Sequence, residues 1–411
     1  MAVKETPGTR ASAKKQSSNA PKAASASPGL ATKIVVAILV LTAALSYNFI
    51  RNAVIDLGLL LGDVQPLSTE GCEVVKGLET CEDIHIHHAS GLAFTTCGHA
   101  ESRKSWFPPI GTVNTSAENA FKDIFVIYDV KSGKYEVMDL IGLPADADRV
   151  FHGLDIYERS PTELTIFAVN HRRSGSVIEV LEYTIGDKAV QYKETIKHDL
   201  IITPNDIVAL GPRSFYVSND HRHKIGTMRE IEETLRRPWS NVIFYSPENV
   251  FVAFDNVVSA NGMAANKDRS LIILSACHGG SVHVLKPRED HTLEQQDHIK
   301  LDFYNDNPSY EPETGDFFIG GHVQPLKMMH DIHTPGKPVA GPSKIVKLHK
   351  NPLAETSAAA PRYLVSTVLV DNGQLISTGT VAAIDRKRGV MLVGTAFSEK
   401  GLVRCPVPHS A

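Results

Sequence analysis

An all-β propeller of six or seven blades is the fold that this 411-residue sequence predicts. Three observations lead there. From residue 72 onward, runs rich in Val, Ile, Tyr and Phe recur with Gly, Asp, Asn and Pro between them, the pattern of strands and hairpins. The runs fall into groups of about four, and dividing about 340 residues by blades of roughly 45–55 residues gives six or seven groups. Helical periodicity is scarce: "TMREIEETLRRPW", 227–239, is the best example, and Pro238 ends it. Radial repetition protects strand edges, whereas a pair of large sandwiches, the alternative architecture, leaves more of them open.

The elements follow in order. Residues 1–33 carry Lys4, Arg10, Lys14, Lys15, Lys22 and Lys33 against one acid, Glu5, among Ser, Ala and Pro. Such a segment cannot bury enough apolar surface to offset its ordering entropy, so it is expected to be a disordered basic tail. Residues 34–50, "IVVAILVLTAALSYNFI", contain no Asp, Glu, Lys, Arg or His and reach the short end of the membrane-spanning range. Lys33 and Arg51 bracket this stretch, and the basic flank on its N-terminal side places that side in the cytosol and the body in a lumen or outside the cell. A signal peptide cut near Thr42-Ala43-Ala44, or a buried core helix, would account for the same composition. A linker, 51–71, leads to the body at 72–411. The chain's 42% hydrophobic and 21% charged content describes a globular body with a full core, and a net charge of -4 argues against nucleic acid as partner.

Within the body, "DIFVIYDVKSGKYEVMDL" reads as strand, Ser-Gly turn, strand, and "SNVIFYSPENVFVAFDNV" and "SLIILSACHGGSVHVLK" repeat the theme. The five cysteines, Cys72, Cys81, Cys97, Cys277 and Cys405, allow one or two disulfides and leave at least one thiol. A bond between Cys72 and Cys405 would tie the two ends of the body together. Asn114-Thr115-Ser116 is a glycosylation sequon, in keeping with the same compartment.

Asn, Asp and Glu groups flank the strand-like runs: Glu82-Asp83, Asn205-Asp206, Asn219-Asp220, Asn261 and Asp306-Asn307. In a propeller one end of every innermost strand points at a shared channel, so residues distant in sequence would converge there. Carboxylates and amide carbonyls are the hard oxygen donors calcium takes. Glu82, Asp306, Asn205, Asn261 and Asn307 would supply two charges and three neutral oxygens, which balances a divalent cation. Each pair taken singly is also an ordinary turn former, because Asn and Asp side chains bond their own backbone. His85, His87 and His88 lack the cysteines or acids at the spacing a zinc site needs and read as strand histidines.

In order along the chain stand "GCEVVKGLETCEDIHI", "FHGLDIY", "FAVNHR", "NDIVALGPRSFYVSNDH", "ANGM", "PETGDFFIGGH" and "STGTVAAI" with "LVGTAF". Together they resemble the serum paraoxonase/arylesterase family from about Val64 to Cys405. The resemblance implies a six-bladed propeller with two central calcium ions. Glu82, Asn205, Asn261, Asp306 and Asn307 match the ligands of the catalytic ion. Asp83 and Asp206, with the carbonyl of Leu154, match those of the structural one, so each doublet divides its work. His152 and His171 match a catalytic histidine dyad, and Asp220, His221 and His322 match pocket positions. Cys72 and Cys405 match a closing disulfide, and family members keep an N-terminal hydrophobic anchor.

Some positions depart from the family pattern. Cys81 stands where one residue is missing between Thr80 and Glu82, and 97–109 differs from the family's mobile lid, which leaves substrate preference open. Gly279-Gly280 replaces an Ala-His, with His278 nearby, and Gly321 replaces a free cysteine. The expected activity is calcium-dependent hydrolysis of lactones or aryl esters, phosphotriesters being a third substrate class. The competing expectation is a membrane-tethered, calcium-stabilised propeller that binds a partner without catalysis. Oligomeric state is not legible.

Overall fold

The computed structural model describes residues 1–2, 29–116, 122–144, 147–334, 336–357 and 359–411. The basic tail expected over 1–33 lies almost entirely outside these described residues. Two units divide the chain, Met1–Arg51 and Asn52–Ala411. A helix over Leu30–Asp56 supplies the first unit's structure and ends in the second. Its 27 residues are long and apolar enough to cross a membrane. The helix is ten residues longer than the apolar stretch 34–50, extending over 30–33 before it and 51–56 after it.

The second unit is an all-β, propeller-like arrangement. Among its described residues are four separate four-stranded sheets and one eight-stranded sheet. The larger sheet is two successive meanders joined where Ala189–Gln191 runs parallel to Asp139–Ile141. The first strands of the successive four-strand groups are β1 (Glu79–His87), β2 (Phe151–Glu158), β3 (Pro204–Gly211), β4 (Ala260–Ala265), β5 (Tyr304–Glu311) and β6 (Gly379–Asp385). Each contacts the next, and β6 contacts β1, so these strands close a ring. The last group takes its outer strand from the start of the body: Glu73 and Val74 pair antiparallel with Arg404 and Val403. Cys72–Cys405 is bonded at that seam, as expected, joining positions 333 residues apart.

The strands read as apolar runs because neighbouring sheets bury both of their faces. Phe94, Phe125, Ile156 and Leu181 pack between the first two groups, and Val208, Tyr216, Leu274 and Leu285 between the third and fourth. The helix expected within 227–239 forms over Thr227–Thr234. Two more, Ala100–Ser105 and Pro325–Ile332, were not anticipated; six or eight residues are too few to display a 3.6-residue period.

One irregularity repeats around the ring. The pairing of each first strand with its neighbour shifts register between Cys81 and Ile84, Phe151 and Leu154, Pro204 and Ile207, Ala260 and Met263, Asn305 and Pro308, and Gly379 and Val381. A bulge bends the strand and re-aims side chains that strict alternation would send to opposite sheet faces.

Candidate active site

The residues inside these bulges are Glu82-Asp83, His152-Gly153, Asn205-Asp206, Asn261-Gly262, Asp306-Asn307 and Thr380. Every acid and amide singled out in the sequence for calcium therefore occupies the same structural position on its strand. The first members, Glu82, His152, Asn205, Asn261 and Asp306, line one cavity of about 110 Å³. Asp83 and Leu154 line a different cavity, of about 630 Å³. The ring is tight here. A Cβ on Gly153 would stand 2.4 Å from Asp206 Oδ1 and 2.5 Å from the Asn205 carbonyl, and one on Gly262 would stand 2.3 Å from Asn307 Oδ1.

This ring concentrates buried negative charge. Burial and the neighbouring Glu82 push Asp83 up to about 7, and burial together with Asp83 drives Asp206 well above the usual carboxylate range. Burial also raises Asp306. Burial opposes ionisation of Glu82 too, but His152 outweighs it and holds Glu82 below its ordinary value. Backbone donors reach the deeper pair: Ile84 and Leu154 N–H to Asp83, Ile207 and Met263 N–H to Asp206. The upper set is less satisfied. Glu82 Oε2, Asn205 Oδ1 and Asn307 Oδ1 are buried with no hydrogen-bond partner among the described residues.

Buried acceptors without donors beside crowded carboxylates are costly unless a cation completes them. The donor chemistry fits a hard divalent ion. Among the described residues no group of three or more His, Cys, Asp and Glu side chains is arranged to hold a metal. The expected upper set contains only two acids, Glu82 and Asp306, its other donors being the Asn205, Asn261 and Asn307 amides.

His152 and His171 meet: Nδ1 of the first lies 3.1 Å from Nε2 of the second. His171 Nδ1 is 2.9 Å from Ser176 Oγ, and His152 Nε2 is 3.5 Å from Glu82 Oε1. Burial opposes a charge on His152, but Glu82 overrides it and the pKa is raised. Burial, and then His152, keeps His171 well below its usual value. Phe107 packs edge-on against both rings, at 4.9 and 5.8 Å.

The same cavity is lined by the expected pocket residues Asp220, His221 and His322. Asp220 Oδ1 lies 2.8 Å from His221 Nδ1, and His221 Nε2 lies 3.2 Å from Glu233 Oε1. His322 Nε2 contacts Asp306 Oδ2 at 3.1 Å. Asn219, despite its similar setting in sequence, is a fastener: its Oδ1 accepts from Ile202 and Thr203 N–H. Gly321 cannot carry a cysteine without movement, since its Cβ would stand 2.2 Å from the Tyr304 carbonyl. The cavity's thiol comes instead from Cys277, free and buried.

Sequence reasoning missed Phe107, Pro109, Tyr304, Met328 and Phe397 as cavity lining, since apolar residues carry no ligand-type signal. It also left Cys81 and Cys97 unassigned; they are bonded to each other. Three expected features lie away from the cavity. Asn114 is exposed, Cys72–Cys405 is at the seam, and His85 and His87 pair with Asp155 and Glu158.

A family model described as Arylesterase matches residues 63–404. Serum paraoxonase/arylesterase 2 of Gallus gallus is 31% identical over 338 residues, covering 82% of this chain and 89% of that protein. Serum paraoxonase/lactonase 3 of Homo sapiens is 29% identical over 338 residues, with the same coverage of each.

Proposed function

This chain belongs to the arylesterase family, and we propose that it is a calcium-dependent hydrolase of carboxylic esters, lactones foremost, built as a six-bladed propeller behind a membrane anchor at residues 34–50. Family membership supports ester and lactone hydrolysis in general. The observation that carries the finer reading is the repeated bulge, which aims donors with unpaired oxygens and His152 into one cavity. Counting the eight-stranded sheet as two blades gives six. An apolar helix, two disulfides and an exposed sequon at Asn114 favour a lumenal or extracellular body.

Glu82, Asn205, Asn261, Asp306 and Asn307 would hold the working ion, and Asp83, Asp206 and the Leu154 carbonyl the structural one. Calcium held by the first set supplies electrostatic stabilisation to a carbonyl oxygen that becomes negative in the transition state. The chain's own groups do the proton work. In its neutral form His152, with Nε2 beside Glu82, takes a proton from the attacking water. His171, kept neutral by burial, holds the other nitrogen of His152 and fixes the ring. As the C–O bond breaks, His152 returns that proton to the leaving oxygen, giving acid and alcohol, or a hydroxy acid from a lactone. Phe107 and Phe397 pack at 5.4 Å and exclude bulk water. Asp220, His221 and His322 form the wall against the substrate's remaining atoms.

The test is hydrolysis of a simple lactone and of phenyl acetate by the purified calcium-loaded protein. Both are expected to be cleaved, the lactone with the higher kcat/KM. Tight calcium binding with no ester cleaved would leave a binding platform as the better reading.

A further inference from the structure

Cys81 and Cys97, bonded to each other, sit at the entry to the first bulge. They face each other across the pairing of β1 with Leu92–Gly98, and Glu82 follows Cys81 directly. Register shifts on both sides of Cys81, between Glu79 and Cys81 and again between Cys81 and Ile84. The first shift contains Thr80, whose φ of +46° is a left-handed conformation that a β-branched residue seldom takes. Thr80 is buried and held there. Its N–H donates to the Ser398 carbonyl at 3.0 Å, and its Oγ1 accepts from Gly98 N–H at 3.0 Å. Cys81 is therefore the single paired residue between two irregular stretches, and the register of Glu82 is set through it. Among the described residues, β1 is the one first strand with a covalent link to its neighbour.

Both ends of the bond are fixed. Cys97 is buried in a strand paired on two sides, with Cys81 on one and Ile124 on the other. Cys81 is buried too, and its carbonyl lies so near the last group that a Cβ on Gly394 would stand 2.3 Å from it. The two bulge residues beyond are held unequally. Ile84 and Leu154 N–H reach the Asp83 carboxylate at 2.8 and 2.9 Å, and Thr95 Oγ1 donates to the Asp83 carbonyl at 2.6 Å. Glu82 has a bond from Thr380 Oγ1 to its carbonyl at 2.5 Å, but its carboxylate is sparsely held. Asn307 Nδ2 donates to Oε1 at 2.7 Å, His152 Nε2 stands 3.5 Å from that same oxygen, and Oε2 has no hydrogen-bond partner among the described residues. Asp83 thus has anchors of its own, whereas the Glu82 carboxylate takes its place from the backbone that precedes it. Contacts that orient a metal ligand from outside are typically worth about 10–100-fold in affinity.

We propose that the Cys81–Cys97 disulfide is a positioning device for the working calcium: it locks β1 at the entry to the bulge so that the Glu82 carboxylate is presented to the cavity. This rests on the reading that Glu82 serves the working ion. The cysteines touch neither ion nor substrate; they act through Glu82, and the bond should matter to the working ion far more than to the structural one.

The experiment uses the full-length protein in detergent and measures calcium affinity against a competing chromophoric chelator, with melting temperature and lactone hydrolysis alongside. Wild type is compared with the pair Cys81→Ala and Cys97→Ala, and with the pair Cys81→Val and Cys97→Val, which restores apolar volume without the bond. Val126→Ala, a buried truncation in the next strand of the same group, lowers stability without touching the bond. Both cysteine pairs are expected to weaken the looser ion about tenfold and leave the tighter ion unchanged. Hydrolysis that they lose at limiting calcium should return when calcium saturates. Val126→Ala should lower the melting temperature and leave both affinities as in wild type. Wild-type affinity in the valine pair overturns the proposal, because packing alone would then position Glu82. An equal loss of affinity in Val126→Ala overturns it too, because general destabilisation would then be the cause. A wild type that binds calcium but cleaves no lactone overturns the hydrolase reading alone, and the affinity comparison still decides the positioning.

Discussion

Asn205 and Asn219 stand in nearly the same local setting, each before an Asp and each next to an apolar run. Asn219 Oδ1 accepts two backbone N–H groups, whereas Asn205 Oδ1 is buried without a donor. Nothing in the residues alone separates them; family resemblance assigned Asn205 to the working ion, and the bulge explains why its oxygen is available. Glycine marks the same positions. Gly262 follows Asn261 in a bulge, and a methyl there would collide with Asn307 Oδ1 and with its Cα at 2.5 Å. The backbone contact cannot yield as a flexible side chain would, so Gly262→Ala is expected to cost about 1–3 kcal/mol, the usual range for overpacking. It should also weaken hydrolysis by displacing Asn307. A melting temperature and kcat/KM both equal to wild type would show that neighbouring inner strands are not held this closely.

The strands were legible in the sequence because burial on both faces demands long apolar, β-branched runs. The bulges were not legible: a bulge changes which residues face each other across a pair, and one strand's composition does not record that. The same reason hid the Cys81–Cys97 bond, whose partners are directly opposite in the pairing of β1 with Leu92–Gly98. The helix Thr227–Thr234 was expected, but nothing in its sequence marks Arg229, whose partner Pro109 lies 120 residues earlier. This helix carries a pH dependence. Glu233 is lowered to about 2 from 4.5, where burial is outweighed by His221 and Arg229, and His221 is raised to about 9 from 6.5, where burial is outweighed by Asp220 and then Glu233. The depressed acid contributes stability that is present above pH 4.5 and lost toward pH 2. The raised base contributes stability that is present below pH 6.5 and lost as pH rises through 9. The melting temperature of wild type should therefore exceed that of Glu233→Gln most between about pH 4.5 and 6.5, with the gap shrinking toward pH 9. A gap that is flat or widening from pH 6.5 to 9 would show that the His221–Glu233 pair does not stabilise the helix against the wall.

At the scale of the molecule, the ring of first strands brings residues scattered from Glu82 to Thr380 to equivalent places on neighbouring strands. The disulfide at Cys72–Cys405 and the pairing of Glu73–Val74 with the last sheet keep that ring closed. Groups of about four strands pointed to radial repetition in the sequence, while the blade count needed the family resemblance. The choice between a propeller and stacked sandwiches depends on which strands meet, and those contacts are long-range. The central claim is that the doublets Glu82-Asp83 and Asn205-Asp206 divide their work, the first residue of each serving the ion that does chemistry and the second the ion that holds the ring. Lowering free calcium stepwise, while following lactone hydrolysis and melting temperature together, tests it directly. In wild type, hydrolysis should be lost at a higher free calcium than the melting temperature. Asn205→Ala should shift only the first transition and Asp206→Ala chiefly the second. A single transition, with both readouts moving together in all three proteins, would contradict the division.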